Sequence, residues 1–323
     1  MADAALRALC GTRKLKVGHF IVEFATPGIG HILKNAGCDF VLFDTEHSGF
    51  HNETIKNAIR YFEAAALPAI IRVPSKEYHH IARALDMGAE GLMVPMVNTA
   101  DEARAILDCM KYTPEGNRGV ALGIAHDNYL AGDVMKKLAA ANARSTLFAQ
   151  IETAEGVENA DEIAAVDGVD CLWVGHFDLS SSLGIPGRFD HPKFTDAIAR
   201  TIAAGRKHGK AVGRLVPDTA SGIALFRDGF DFVCYSGDVW LLQAALSEAV
   251  KTIRAGCGRG MAGPKRTPVK KAPVKKSPAK TVTAKSTTAS KAVAKKPKKT
   301  PARRGSTRRG PTQRGPTQRG KAR

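Results

Sequence analysis

From Val17 to about Arg254 the chain repeats one pattern. A short β-branched or apolar run gives way to polar residues and glycine, then to an alanine-rich amphipathic stretch. The short runs read as strands over 16–24, 39–47, 68–74, 90–97, 145–153, 169–178, 210–218 and 231–238. The longer stretches read as helices over 52–66, 76–87, 99–111, 154–165, 193–208, 219–228 and 238–254. Asn98 or Thr99, ahead of two acids, and Thr153, ahead of "AEGVE", carry N-cap chemistry. Gly37, Gly88, Gly209 and Gly229 each fall between a helix and the next strand, where a left-handed C-cap belongs. Eight strands alternating with helices over about 240 residues predict a (β/α)8 TIM barrel. The rival is a doubly wound open sheet. It would need a glycine-rich fingerprint after the first strand, and Gly28-Ile29-Gly30 alone reads as a turn.

Two segments break the rhythm. Residues 112–144 hold "YTPEGNRGVALG" and a short helical stretch, an insertion of the kind that forms lids and substrate loops. Residues 259–323 are Lys, Arg, Pro, Ala, Ser and Thr without an aromatic side chain. Such a composition cannot bury a core and is expected to be disordered. The sequence therefore divides into a barrel domain, 1–258, and a tail, 259–323.

Charge sharpens that division. The formal net charge of +17 suggests a polyanion binder, yet 22 of the 48 Lys and Arg lie in the tail, which has no acid. The first 258 residues hold 26 basic and 31 acidic side chains, so the barrel is mildly acidic and the tail alone is basic. "KRTPVKKAPVKKSPAK" is similar to linker-histone tails. It predicts nonspecific, salt-dependent contact with nucleic acid or another polyanion through residues 259–323. A solubilising extension is the alternative. The six cysteines show no metal-ligand spacing. No secretory signal pattern and no run long enough to span a bilayer are visible, which predicts a cytoplasmic protein, nucleoid-associated if the tail binds DNA.

In a barrel, chemistry collects where strands end and loops begin. Here the second strand ends Asp44-Thr45-Glu46-His47, the third carries Arg72, the fifth carries Gln150 and Glu152, and the sixth reads on to Asp178. Taken singly, each has a structural explanation: a cap, a helix-start charge, an internal ion pair. A barrel, however, brings all four ends to one mouth. Two carboxylates and a glutamine suit a hard divalent cation, Mg²⁺, Mn²⁺ or Co²⁺. Arg72 can stabilise an oxyanion, and His47 can move a proton.

The motifs "FDTEHSGF", "IIRVP", "ALDMGAEGLMVPMV", "PEGNRGV", "AQIETAEGVEN" and "VGHFDLSSSLGIPG" resemble, in order and spacing, the HpcH/HpaI aldolase family of class II pyruvate aldolases. The resemblance covers about residues 15–254. It implies a lyase that splits a 4-hydroxy-2-oxo acid reversibly into pyruvate and an aldehyde through a metal-stabilised enolate. It implies Glu152 and Asp178 as metal ligands, His47 as the proton-transferring residue and Arg72 as transition-state stabiliser. Gln150, Phe177 and Asp178 would contact substrate. Asp44 and Asp86 would support the histidine, Asp86 in some members from a neighbouring subunit. A homo-oligomer, typically a hexamer with exchanged C-terminal helices, is also implied.

Two stretches depart from the family pattern. Gly175-His176-Phe177-Asp178 replaces the common Gly-Pro version, so Phe177 is expected to narrow the mouth. His176, on the strand face of Asp178, would be able to approach the metal, with support of a ligand or a structural role the first expectation. "ALGIAHDNY" lacks the usual Ser/Arg-rich run. Two other readings stay open. One is a CoA-ester lyase of the citrate-lyase β type, and the other is a barrel scaffold whose main role is polyanion binding through the tail.

Overall fold

A computed structural model describes residues 5–258. Eight parallel strands close into a barrel in sequence order: β1 (Lys16–Ile21), β2 (Phe40–Asp44), β3 (Ala69–Arg72), β4 (Gly91–Val94), β5 (Thr146–Ile151), β6 (Val169–Val174), β7 (Ala211–Val216) and β8 (Phe232–Gly237). The helices are α1 (Ala5–Cys10), α2 (Ile29–Asn35), α3 (Asn52–Ala64), α4 (Tyr78–Asp86), α5 (Ala100–Met110) and α6 (Val134–Arg144). They continue with α7 (Ala154–Glu158), α8 (Ala160–Ala165), α9 (His176–Ser182), α10 (Pro192–Lys207), α11 (Thr219–Asp228) and α12 (Asp238–Gly258). The basic tail lies outside the described residues.

Side chains of each strand alternate between two cores. Val41, Phe43, Ile71, Leu147 and Val174 pack outward under the helices. Phe40, Leu42, Ile70, Met93, Phe148, Trp173 and Phe232 fill the barrel. Edge-on contacts of Phe232 with Phe40 (5.1 Å) and Phe148 (5.5 Å) knit that interior. Leu6 and Cys10 of α1 join the interior cluster, and Leu6 lies against Gly91 at the start of β4, closing the N-terminal end. Continuing the inward parity of β2, β3 and β5 places Asp44, Arg72 and Gln150 at the opposite, C-terminal mouth.

All eight predicted strands are present, and the four glycines adopt positive φ, from 65° to 117°. Thr99 accepts from Glu102 N and Thr153 from Gly156 N, as N-caps should. Three local differences have physical causes. Gly28-Ile29-Gly30 is the start of α2 rather than a turn; a Cβ on Gly30 would sit 2.6 Å from Tyr61 O, so glycine lets α2 lie on α3. The helix expected over 154–165 breaks at Asn159, whose side chain donates to Asn98 O at 2.8 Å. The sixth strand stops at Val174, and His176–Ser182 is helical.

Candidate active site

The inward ends of β2 and β3 are in register, with Asp44 opposite Arg72. Asp44 is buried completely, and a buried carboxylate requires partners. Its Oδ1 accepts from Arg72 Nε at 2.7 Å and from Glu46 N at 3.0 Å, and Oδ2 accepts from His47 N at 3.1 Å. One carboxylate thereby orients the arginine and shapes the turn that carries Glu46 and His47. Burial opposes the charged guanidinium of Arg72, but the Asp44 hydrogen bond and the charges of Asp44, Glu46 and Glu152 outweigh it and raise its pKa. The guanidinium also lies 5.2 Å from the Phe20 ring centroid. His47 stands free at the rim, its side chain 65% exposed, with Nε2 at 3.8 Å from Glu46 Oε2.

Glu46, which strand-end reasoning quoted without assigning it a role, is brought by the structure to the arginine. Its Oε2 lies 3.1 Å from Arg72 Nη1, yet it is buried without hydrogen-bond geometry to any described partner. Burial raises its pKa; Arg72 and His47 counter this, while Asp44 and Asp178 add to it. The i, i+2 spacing from Asp44 was the available signal, since both side chains of such a pair share a face if the strand continues.

Across the mouth, Glu152 is 3% exposed. Its Oε1 accepts from Met96 N at 2.7 Å and its Oε2 from Gln150 Nε2 at 2.6 Å. Gln150 leaves its own Oε1 buried and unpartnered. Gly175 forms the adjoining wall: a Cβ there would overlap Glu152 Oε2 and come within 2.9 Å of Gln150 Nε2. Only glycine leaves room for this pair. Burial first, offset by the Met96 N–H and then reinforced by the charges of Glu46 and Asp178, pushes the Glu152 pKa up to about 7.

Asp178 is exposed in the first turn of α9. It therefore does not end a strand, although its charge reaches both Glu46 and Glu152. Phe177 is 62% exposed, with its ring 5.2 Å from that of Phe189. His176 is not on a strand face with Asp178. Its ring packs against Phe177 at 4.6 Å and Phe189 at 5.2 Å, and it makes no hydrogen bond to Glu152 or Asp178. Burial, with the Arg214 charge behind it, lowers its pKa to about 3. Asp86 also stands apart from the mouth of its own barrel. It ends α4, just before β4 begins, and pairs with Arg118.

The residues present fit a divalent cation. An ionisable buried carboxylate, an unpartnered amide oxygen beside it and an exposed aspartate at the rim are all hard oxygen donors. Among the described residues no three His, Cys, Asp or Glu side chains form a cage by themselves. A two-carboxylate site leaves positions for water and substrate oxygens, as catalytic metal sites require. A charged arginine facing such a site suits carbanion chemistry beside a carboxylate.

Fold and site are those of a (β/α)8 barrel whose mouth fits the chemistry of a metal-dependent carbon–carbon lyase. The family model for HpcH/HpaI aldolase/citrate lyase matches residues 19–245, and the chain belongs to that family. A hydroxypyruvate/pyruvate aldolase of Paraburkholderia phytofirmans is 36% identical over 227 residues, 69% of this chain and 87% of the relative. A 5-keto-4-deoxy-D-glucarate aldolase of Shigella boydii is 31% identical over 248 residues, 77% of this chain and 95% of the relative. The crystal structure of an HpcH/HpaI aldolase/citrate lyase family protein from Burkholderia cenocepacia is similar with a TM-score of 0.73 and 33% identity, covering 78% of this chain and all of that one.

Proposed function

We propose that the protein cleaves a 4-hydroxy-2-oxo acid reversibly into pyruvate and an aldehyde, with Glu152 and Asp178 holding the cation. The observation that carries this reading is the Gln150–Glu152 pair, folded into a slot only glycine permits and facing Arg72. A divalent cation held there by Glu152 and Asp178, Mg²⁺, Mn²⁺ or Co²⁺, would supply a Lewis acid for the 2-oxo acid. Arg72, held by Asp44, faces the negative charge that grows on the C2 oxygen. His47 takes the proton of the 4-hydroxyl, directly or through water. The C3–C4 bond then breaks, the aldehyde leaves, and the electron pair remains on the three-carbon fragment until C3 takes a proton. Gln150 Oε1 is an acceptor for a substrate or water hydrogen. Phe177 and the backbone around Asp178 form the wall met by the aldehyde half.

The test is exchange of pyruvate methyl protons in D₂O with Mg²⁺ or Mn²⁺, followed by NMR. Wild-type protein exchanges them, and Glu152→Gln lowers the rate at least a hundredfold while the circular dichroism spectrum stays unchanged. Exchange that survives this substitution sinks the assignment of Glu152. Malyl-CoA cleavage without pyruvate exchange would favour the CoA-ester reading instead.

We further propose two kinds of partner. A homo-oligomer is supported by α12, whose Leu242, Leu246, Val250 and Ile253 are all exposed on one chain. Nonspecific contact of residues 259–323 with nucleic acid or another polyanion is supported by their 22 basic residues without a single acid.

A further inference from the structure

A second cavity, of about 360 Å³, lies on the far side of β3 from Arg72. Its apolar floor is Ile55, Ile71, Val73, Ala84 and Met87, all members of the outer core. Its upper lining is polar and carries no carboxylate: Thr45, Asn52, His79, His80 and Arg83. Thr45 Oγ1 is already committed, donating to Arg72 O at 2.5 Å. His79, His80 and Arg83 give that rim a basic edge, with His79 and Arg83 reaching solvent.

The orientation of His80 follows from its neighbours. Ser75 Oγ accepts from Glu77 N at 3.1 Å and lies 2.8 Å from His80 Nδ1. With Nδ1 engaged by Ser75, Nε2 is the ring nitrogen left for a ligand. The His79 ring lies tilted beside it, centroids 4.2 Å apart, and Arg83 follows one helical turn after His79. Among the described residues, neither His79 nor Arg83 has an ion-pair partner within 4.0 Å. Asn52 opens α3, so the positive end of a thirteen-residue helix borders the same space. Glu53 and Glu77 are nearby in sequence but stand outside the lining.

We propose that this cavity binds a small organic oxyanion, its charged head against Arg83 and His80 and its apolar body over Ile55, Ile71 and Met87. A basic rim without a carboxylate, above an apolar floor, selects that chemistry: an oxyanion gains charge-assisted hydrogen bonds from Arg83 that a neutral apolar molecule cannot make. The site is separate from the mouth because Ile71 and Val73 face outward while Arg72 faces inward. It shares a wall with the mouth, since Thr45 and Phe50 belong to the turn that carries Glu46 and His47. The inference does not depend on the lyase assignment.

The probe is 4-fluorobenzoate, followed by ¹⁹F NMR with the full chain at physiological salt, with Arg72→Gln run beside it to report any binding in the mouth. Saturable binding is expected. Arg83→Ala and His80→Phe should each weaken it at least tenfold, while Arg104→Ala, an exposed arginine paired with Asp101 elsewhere, should leave it unchanged. Arg83→Ala removes an exposed side chain, and an unaltered melting temperature checks that it folds. Competition with inorganic phosphate separates the sources: displacement assigns a phosphate head and persistence a carboxylate, and either supports the site. Absence of saturable binding, binding indifferent to Arg83→Ala and His80→Phe, or binding lost with Arg72→Gln overturns it.

Discussion

At the residue scale, Glu152 joins burial to chemistry. Its pKa of about 7, against 4.5 for an ordinary glutamate, means the metal-free fold keeps a proton that the unfolded chain has already lost. Between those values the folded state binds more protons, so metal-free stability falls as pH rises through that window. Cation binding needs the ionised form and runs the other way. Calorimetric titration with Mn²⁺ should therefore show affinity about tenfold weaker at pH 6 than at pH 8, following the ionised fraction. An affinity flat across that range would show that no carboxyl titrating near 7 takes part in binding the cation. Gly175→Ala presses on the same carboxylate from outside. It should lower metal affinity and turnover together by at least tenfold while Arg72 and His47 remain in place, a result read by titration and single-turnover assay.

Much of this site is legible at that scale because alternation along a strand is local: Gln150 and Glu152 share a face whatever the barrel does. The i, i+2 spacing puts Glu46 on the face of Asp44, but its contact with Arg72 is not legible, because it spans two strands and depends on their register. His176 misleads for a related reason. "VDCLWVGHFD" is apolar enough to read as one strand, but β6 stops where Gly175 passes against Glu152, and the chain turns into α9.

At the element scale, Asp238 shows how a helix start is pinned to the barrel. Buried at the beginning of α12, it accepts from Val22 N at 3.1 Å, from Glu23 N at 3.0 Å and from Phe24 N at 2.8 Å. Replacing it by alanine strands three backbone donors next to the mouth. A loss of about 2–4 kcal/mol, measured by urea unfolding, is expected from charged hydrogen bonds of this kind. The rest of α12 packs on little of its own chain. Leu246→Asp should therefore reduce the assembled mass measured by light scattering without unfolding the barrel. Amphipathic periodicity announces the helix, but it cannot say which copy of the chain covers the apolar stripe.

At the scale of the whole molecule, an acidic barrel and a basic tail predict separable behaviours. Truncation after residue 258 should abolish binding to duplex DNA, measured across a salt series, while leaving pyruvate exchange intact. Full-length protein should lose affinity steeply as salt rises, by counterion release. Retained DNA binding by the truncated protein would move that property to the barrel. No helix among the described residues is long and apolar enough to cross a membrane.

The sequence by itself determined the eight-strand rhythm, the left-handed glycines at helix ends, the acids and arginine at the strand tips and the segregation of charge into the tail. These are properties of period, backbone freedom and composition, which act over a few residues. Tertiary structure decided what closure alone can decide. It set Asp44 against Arg72, made Gly175 the wall behind Glu152, moved His176 into an aromatic cluster and left Asp86 paired with Arg118 away from its own mouth. Such contacts depend on where a closed barrel brings distant segments together, and on which side chain then has a partner.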